Sequence, residues 1–295
     1  MKFAAIDIGS NAMRLLITNI VEQPDVATQF NKSALIRVPI RLGQDAFTVG
    51  EISEENIDRM IDAMKAFKLL MKVYKVEKYK ACATSAMREA YNGNEVVDII
   101  LEKSEIEIEI IDGKKEAAII ASSDLHNFIK TDQTYLYVDV GGGSTEITIL
   151  SKHKIIAAKS FKIGTIRLLN DMVTKECWQE MKDWVKSQTY HLEHVEMIGS
   201  GGNINKIAKL IKGETPQPIL YYEFKAMRQT LMNMSYDQRI KTFQLNPDRA
   251  DVIVPASKIY YSVMKWADSS ILHVPRIGLS DGIVQLLHER YLKTT

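Results

Sequence analysis

Apolar and polar positions alternate between two periods along the chain. From Ser53, the residues Ile57, Met60, Ile61, Met64, Phe67, Met71 and Tyr74 recur every three or four positions, which predicts an amphipathic helix. Residues 79–84 read as a strand and 85–91 as a short helix. The run Ile106-Glu107-Ile108-Glu109-Ile110 alternates strictly, as a half-buried strand does. Asp112-Gly113 ends that strand and caps a helix running from Lys114 towards Phe128. In the second half, 174–194 and 247–267 read as long helices, 195–199 as a short strand feeding Gly201-Gly202 and a further helix, and 280–293 as the closing helix. Alternation of this kind predicts an α/β protein.

One stretch occurs twice. Ala5-Ile6-Asp7-Ile8-Gly9-Ser10-Asn11 and Tyr137-Val138-Asp139-Val140-Gly141-Gly142-Gly143 both read as strand, aspartate and glycine turn, and an apolar strand follows each. Aligning Asp7 with Asp139 places Gly9 on Gly141 and Arg14 on Glu146 without a gap. A duplicated domain accounts for this most simply. The expected division is 1–124 and 125–295, with the boundary near 123–130.

Composition narrows the picture. Two domains of ordinary size suit 295 residues. With 46% hydrophobic and 25% charged residues, the chain is neither a disordered polyelectrolyte nor a membrane protein. No apolar run approaches a membrane span, and the apolar residues before Asp7 are too few for a signal-peptide core. Cys82 and Cys177 stand alone, with no metal-ligand spacing. A cytoplasmic location with no membrane partner is therefore expected. A net charge of +1 supplies no global field for nucleic acid, so any polyanion must be held locally. The basic residues Lys152, Lys154, Lys159, Lys162 and Arg167, and the series Lys206, Lys209 and Lys212, read as solvated surface ahead of a binding track.

Candidate chemistry gathers at the repeated turns. Each aspartate ends a strand where small residues leave backbone N–H groups able to converge on one ligand, an arrangement suited to phosphate. A carboxylate beside phosphate implies a cation, Mg²⁺ or Mn²⁺, by charge balance. Gly201 and Gly202, between a strand and a helix, offer a second close approach at a helix start. Gly164-Thr165 makes a weaker claim of the same kind. No GxxxxGK[ST] run occurs, which excludes a P-loop NTPase.

The segments Ala5 to Asn11, Ala83-Thr84-Ser85-Ala86-Met87-Arg88-Glu89-Ala90, Gly113-Lys114-Lys115-Glu116-Ala117 and Val138 to Glu146 resemble, in order, the exopolyphosphatase and guanosine pentaphosphate phosphatase family. Ser200-Gly201-Gly202 and Arg249-Ala250-Asp251-Val252-Ile253 extend the resemblance over essentially the whole chain. It implies two duplicated ribonuclease H-like domains of the sugar kinase, actin and heat-shock ATPase superfamily, with an interdomain cleft. Carried over by motif, the catalytic residues are Glu116, Asp139 and Glu146. Asp7, Asp139 and Glu146 would hold the metal. Gly9, Ser10, Asn11, Arg14, Arg88, Gly141, Gly142, Gly143, Ser144, Thr145, Gly201 and Gly202 would bind phosphate. Glu116 would accept a proton from water, and a helix N-terminus favours its charged form.

Two departures from the family pattern stand out. Asp112 and Lys115 replace a serine and a glutamate before Glu116, and Leu279-Ser280-Asp281-Gly282 replaces an arginine-glutamate pair before glycine. The leading expectation is hydrolysis of terminal phosphate from inorganic polyphosphate. The alternatives are the same chemistry on guanosine pentaphosphate, a kinase of the same superfamily, and a non-catalytic alarmone or polyphosphate sensor. Pairing of two chains into a homodimer is left open.

Overall fold

The computed structural model describes residues 1–24, 26–121, 133–152, 154–192 and 194–293. The chain divides into two compact units, Met1–Asp124 with Leu279–Thr295, and Leu125–Gly278. The predicted boundary at 123–130 and the predicted end of the helix near Phe128 lie outside the described residues.

The first unit runs β1 (Lys2–Ile8), β2 (Met13–Gln23), β3 (Val26–Val38), α1 (Leu42–Thr48), α2 (Glu54–Tyr74), β4 (Lys78–Ala83), α3 (Ser85–Glu89), α4 (Gly93–Ser104), β5 (Ile108–Ile110) and α5 (Gly113–Ala121). Its sheet has the order β3-β2-β1-β4-β5, in which β1 pairs antiparallel with β2 and parallel with β4. Every position of β1 from Phe3 to Ile8 is buried, as a central strand covered on both faces must be. The Ser53 hydroxyl caps α2 by accepting from the Asn56 N–H, and Met60, Met64, Phe67 and Met71 form its buried stripe.

The second unit runs β6 (Thr134–Val140), β7 (Thr145–Ser151), β8 (Lys154–Phe161), α6 (Thr165–Leu169), α7 (Lys175–Thr189), β9 (Val195–Ser200), α8 (Gly202–Lys212), β10 (Ile219–Leu220), α9 (Tyr221–Asn233), α10 (Tyr236–Phe243), α11 (Pro247–Ala250), α12 (Ile253–Trp266) and β11 (Ile271–His273). Read from the other end, its sheet order is β8-β7-β6-β9-β11-β10. Strands β8, β7, β6 and β9 repeat the connectivity of β3, β2, β1 and β4, with antiparallel hairpins followed by a parallel neighbour. The duplication read from the two aspartates thus extends to topology, and both units are ribonuclease H-like. Val138, Ile147, Met197, Ile204, Ile259 and Val263 belong to this unit's hydrophobic core. Among the described residues no helix is long and apolar enough to cross a membrane.

Three expectations change. The helix expected over 247–267 is two helices, because Pro255 has no N–H to continue the hydrogen-bond ladder from α11. The half-buried strand expected over 106–110 is shorter, β5. The closing helix α13 (Leu279–Leu292) belongs with the first unit, so the second domain is not 125–295.

The physical reason for that last change lies in what α13 buries. Leu279, Ile283 and Val284 are buried, Tyr291 packs edge-on against Phe3, and Asp281 pairs with Lys32 at 2.7 Å. His288 meets Glu22 at 2.6 Å. At Gly282 the helix comes so close to α5 that an added Cβ would lie 2.0 Å from the Ile119 carbonyl oxygen. Gly282→Ala must therefore separate α13 from α5. Overpacking of this kind costs about 1–3 kcal/mol, so urea unfolding should show a lower midpoint. An unchanged midpoint would mean that the two helices are not closely apposed.

Candidate active site

Strand pairing sets the first relationship. Asp7 lies near the end of β1 directly opposite Arg14 on β2, and Arg14 Nη1 donates to Asp7 Oδ2 at 2.7 Å. Asp7 is 4% exposed. The Gly9 N–H donates to the Ala12 carbonyl at 3.2 Å and closes the turn. The Ser10 and Ser85 hydroxyls lie 2.9 Å apart, and the Ser10 and Asn11 carbonyls accept from the Gly43 and Arg41 N–H groups. Asp7 is thus charge-balanced inside its own hairpin.

The second hairpin has the same backbone with different chemistry. Asp139 on β6 lies opposite Glu146 on β7, and the Gly141 N–H donates to the Ser144 carbonyl at 2.9 Å. Where Asp7 faces a guanidinium, Asp139 faces a second carboxylate. Directly opposed like charges are destabilising. The Ser160 hydroxyl donates to Glu146 Oε1 at 2.8 Å, which satisfies part of that side chain. Two carboxylates completed by water and phosphate oxygens are what Mg²⁺ typically takes, so Asp139 and Glu146 fit such an ion. Among the described residues no group of three or more His, Cys, Asp or Glu side chains is placed to hold a metal alone.

The turn after Asp139 is pinned from one side. The Thr165 N–H donates to the Gly141 carbonyl at 3.0 Å and the Ile166 N–H to the Gly142 carbonyl at 2.9 Å. Arg167 Nε donates to the Gly143 carbonyl at 2.8 Å. Peptide groups are trans and planar, so a carbonyl and the N–H that follows it point in opposite directions. With three successive carbonyls turned towards α6 and Arg167, the N–H groups of Gly142, Gly143 and Ser144 all turn away from them. A concave run of aligned N–H groups binds anions. Close approach makes this possible, since a Cβ on Gly164 would lie 2.2 Å from the Gly142 oxygen.

A second turn borders the same carboxylate. Gly201 precedes α8 with φ of 114°, a conformation L side chains rarely adopt, and a Cβ there would meet Asp139 Oδ1 at 3.3 Å. Gly202 is the first residue of the helix. The second unit therefore brings together Asp139, Glu146, the 141–144 turn and the Gly201-Gly202 turn.

Glu116, in the first turn of α5, is 8% exposed. Arg88 Nη1 lies 3.8 Å from Glu116 Oε2 and donates to the Ile111 carbonyl at 2.7 Å. The two departures before Glu116 are accommodated locally. Asp112 Oδ1 accepts from the Lys115 N–H at 2.8 Å, the capping role a serine would also fill, and that bond holds its carboxyl below the usual range. Lys115 and Lys80 both bond Glu109, and these bonds lower its pKa, Lys115 foremost. The lysine charge is thereby taken up away from Glu116.

Some candidate residues have their side chains occupied. Thr145, fully buried, donates its hydroxyl to the Ile163 carbonyl at 2.5 Å. Arg167, read as part of a basic surface stretch, is buried as the brace on Gly143, and Lys159 pairs with Glu180 at 2.9 Å. Lys209 and Lys212 are paired with Glu214 and Glu223. Ser160 and Tyr260 are not among the expected site residues, whereas Gly164, expected to offer a ligand a close approach, packs instead against the Gly142 carbonyl. Ser160 could be found only through the register of β7 with β8. Tyr260 left a fainter signal, a hydroxyl on a mostly apolar helix face with Ile253, Ala256, Ile259 and Val263.

Known proteins share the sequence pattern and the fold of this chain. The bifunctional 3-dehydroquinate synthase/phosphatase of Fusobacterium nucleatum is 32% identical over 207 residues, covering 66% of this chain and 31% of that protein. Exopolyphosphatase 2 of Mycobacterium tuberculosis is 26% identical, over 85% of this chain and 86% of its own. The crystal structure of an exopolyphosphatase from Cytophaga hutchinsonii has the same fold, with a TM-score of 0.86 over 98% of both chains at 24% identity. The model of the Ppx/GppA phosphatase family matches residues 25–290, and the chain belongs to that family.

Proposed function

We propose that this chain is a metal-dependent exopolyphosphatase that hydrolyses terminal phosphate from inorganic polyphosphate in the cytoplasm. The observation that carries the reading is the second hairpin, where two opposed carboxylates border a turn whose N–H groups are turned outward by its pinned carbonyls. Such a turn suits a phosphate, and the paired carboxylates suit a cation accompanying it. The relatives named exopolyphosphatase support the substrate class.

Phosphoryl transfer depends mainly on positioning and charge neutralisation. The N–H groups of Gly142, Gly143 and Ser144 would orient phosphate oxygens. Asp139 and Glu146 would hold Mg²⁺ or Mn²⁺, which neutralises phosphate charge when bound. Glu116 would accept the proton of the attacking water as a P–O bond forms and the terminal anhydride P–O bond breaks, releasing orthophosphate and a shortened chain. Guanosine pentaphosphate presents the same anhydride on a nucleotide and is the second reading, because the family description covers phosphatases of both names.

Phosphate release should be measured on long-chain polyphosphate, tripolyphosphate and guanosine pentaphosphate at equal terminal phosphate. The expected order places long-chain polyphosphate first. Preference for the nucleotide would support the second reading, and binding without release would support a sensor. In the same assay Glu116→Gln should lower kcat by about 10²–10⁴-fold, the loss of a positioned base, while substrate binding is retained. A variant keeping more than about a tenth of the activity would remove Glu116 from that role.

Chelation should abolish release and added Mg²⁺ restore it. Asp139→Asn should raise the Mg²⁺ requirement, with part of its defect recovered at high Mg²⁺. Full turnover in excess chelator would contradict the metal assignment.

A further inference from the structure

Strands β6 and β9 run parallel, and their last paired residues are Asp139 and Ser200. Beyond that point β6 enters the 141–144 turn and β9 enters Gly201. Divergence of two parallel strands opens a crevice at their carboxyl ends.

The hydroxyl of Tyr260 stands at that divergence. Tyr260 projects from α12 and is completely buried, and its hydroxyl donates to the Ser200 carbonyl. The backbone of Val140, the residue after Asp139, faces the same oxygen closely enough to favour its charged form, against the larger effect of burial. One side-chain oxygen therefore donates to β9 and sits against the Val140 backbone of β6, a bridging rung at the point where the strands part. A Cβ on Gly201 would lie 3.3 Å from Asp139 Oδ1 and 3.6 Å from the Tyr260 oxygen, so the hydroxyl, the carboxylate and the turn share one small volume. Because the Ser200 carbonyl is directed at Tyr260, the Gly201 N–H of the same planar peptide is directed away from it.

The chemistry of the group suits a fixed rung. Burial raises the phenol well above its usual range, and the neighbouring charges of Asp139 and Glu146 raise it further. At neutral pH it stays an uncharged donor and adds no third negative charge beside the carboxylates.

We propose that Tyr260 is a positioning residue of the active site: its hydroxyl sets the separation of β6 and β9 and thereby holds Asp139 and the N–H groups of the Gly201 turn in fixed relation. The catalytic part of this inference rests on the phosphohydrolase reading above. The bridging part does not.

Tyr260→Phe keeps the ring, including its contact near Gly199, and removes only the hydroxyl. Three quantities should be measured on the full chain: amide hydrogen exchange at Val140 in ligand-free protein, the thermal midpoint, and kcat and KM with long-chain polyphosphate and Mg²⁺. Val140 should exchange faster, and kcat should fall about ten- to a hundredfold, as for a sub-ångström to ångström misplacement of reacting groups. KM should change little. Val185→Ala, a core truncation in the same unit that removes no side-chain hydrogen bond, calibrates the effect of stability loss alone and should leave kcat near wild type. Unchanged exchange at Val140, or faster exchange with wild-type kcat, would overturn the proposal. So would an equal loss of kcat in Val185→Ala. If the wild-type chain releases phosphate from neither polyphosphate nor guanosine pentaphosphate, the functional reading has failed, and Val140 exchange alone then decides for or against the bridge.

Discussion

Antiparallel register is the constraint on which both hairpins depend. A strand-end aspartate and the residue seven positions later are forced to face each other across the turn, on the same side of the sheet. In the first unit that partner is Arg14 and the hairpin neutralises itself. In the second it is Glu146, and the hairpin concentrates negative charge beside a turn that presents N–H donors. Duplication supplied two copies of one backbone, and one residue difference at a fixed register position gives them different electrostatic characters.

The rest of the second unit stabilises this arrangement. Helix α6 and Arg167 hold three successive carbonyls, so the turn cannot flip its peptides to present oxygen to an anion. Ser160 engages Glu146 from β8, and the Tyr260 hydroxyl links the strand carrying Asp139 to the strand leading into Gly201. In the first unit α13 performs a comparable service at longer range. It lies against α5 at Gly282, one helical turn from Glu116, and so ties that glutamate's helix to the end of the chain.

Much of this was legible from residues. The gapless alignment of Asp7 with Asp139 carried the duplicated topology, and the three- and four-residue spacing after Ser53 located α2. What was not legible depended on contacts remote in sequence. Strand β3 is mostly exposed and lacks the apolar alternation that would mark it. The allegiance of α13 follows from close packing at Gly282, which periodicity does not encode. Arg167 looked like surface charge because its buried acceptor, a backbone carbonyl, has no side-chain signature. Thr145 looked like a ligand contact because it adjoins the glycine turn, yet its hydroxyl is spent on Ile163.

The central claim is that the 141–144 turn receives phosphate through its outward N–H groups. Titrating ¹⁵N-labelled protein with tripolyphosphate and Mg²⁺ while following amide chemical shifts tests it directly, with Glu116→Gln used to suppress turnover. The account predicts that the amides of Gly142, Gly143 and Ser144 move most as the ligand saturates. Saturable binding that leaves those three amides unmoved would contradict it.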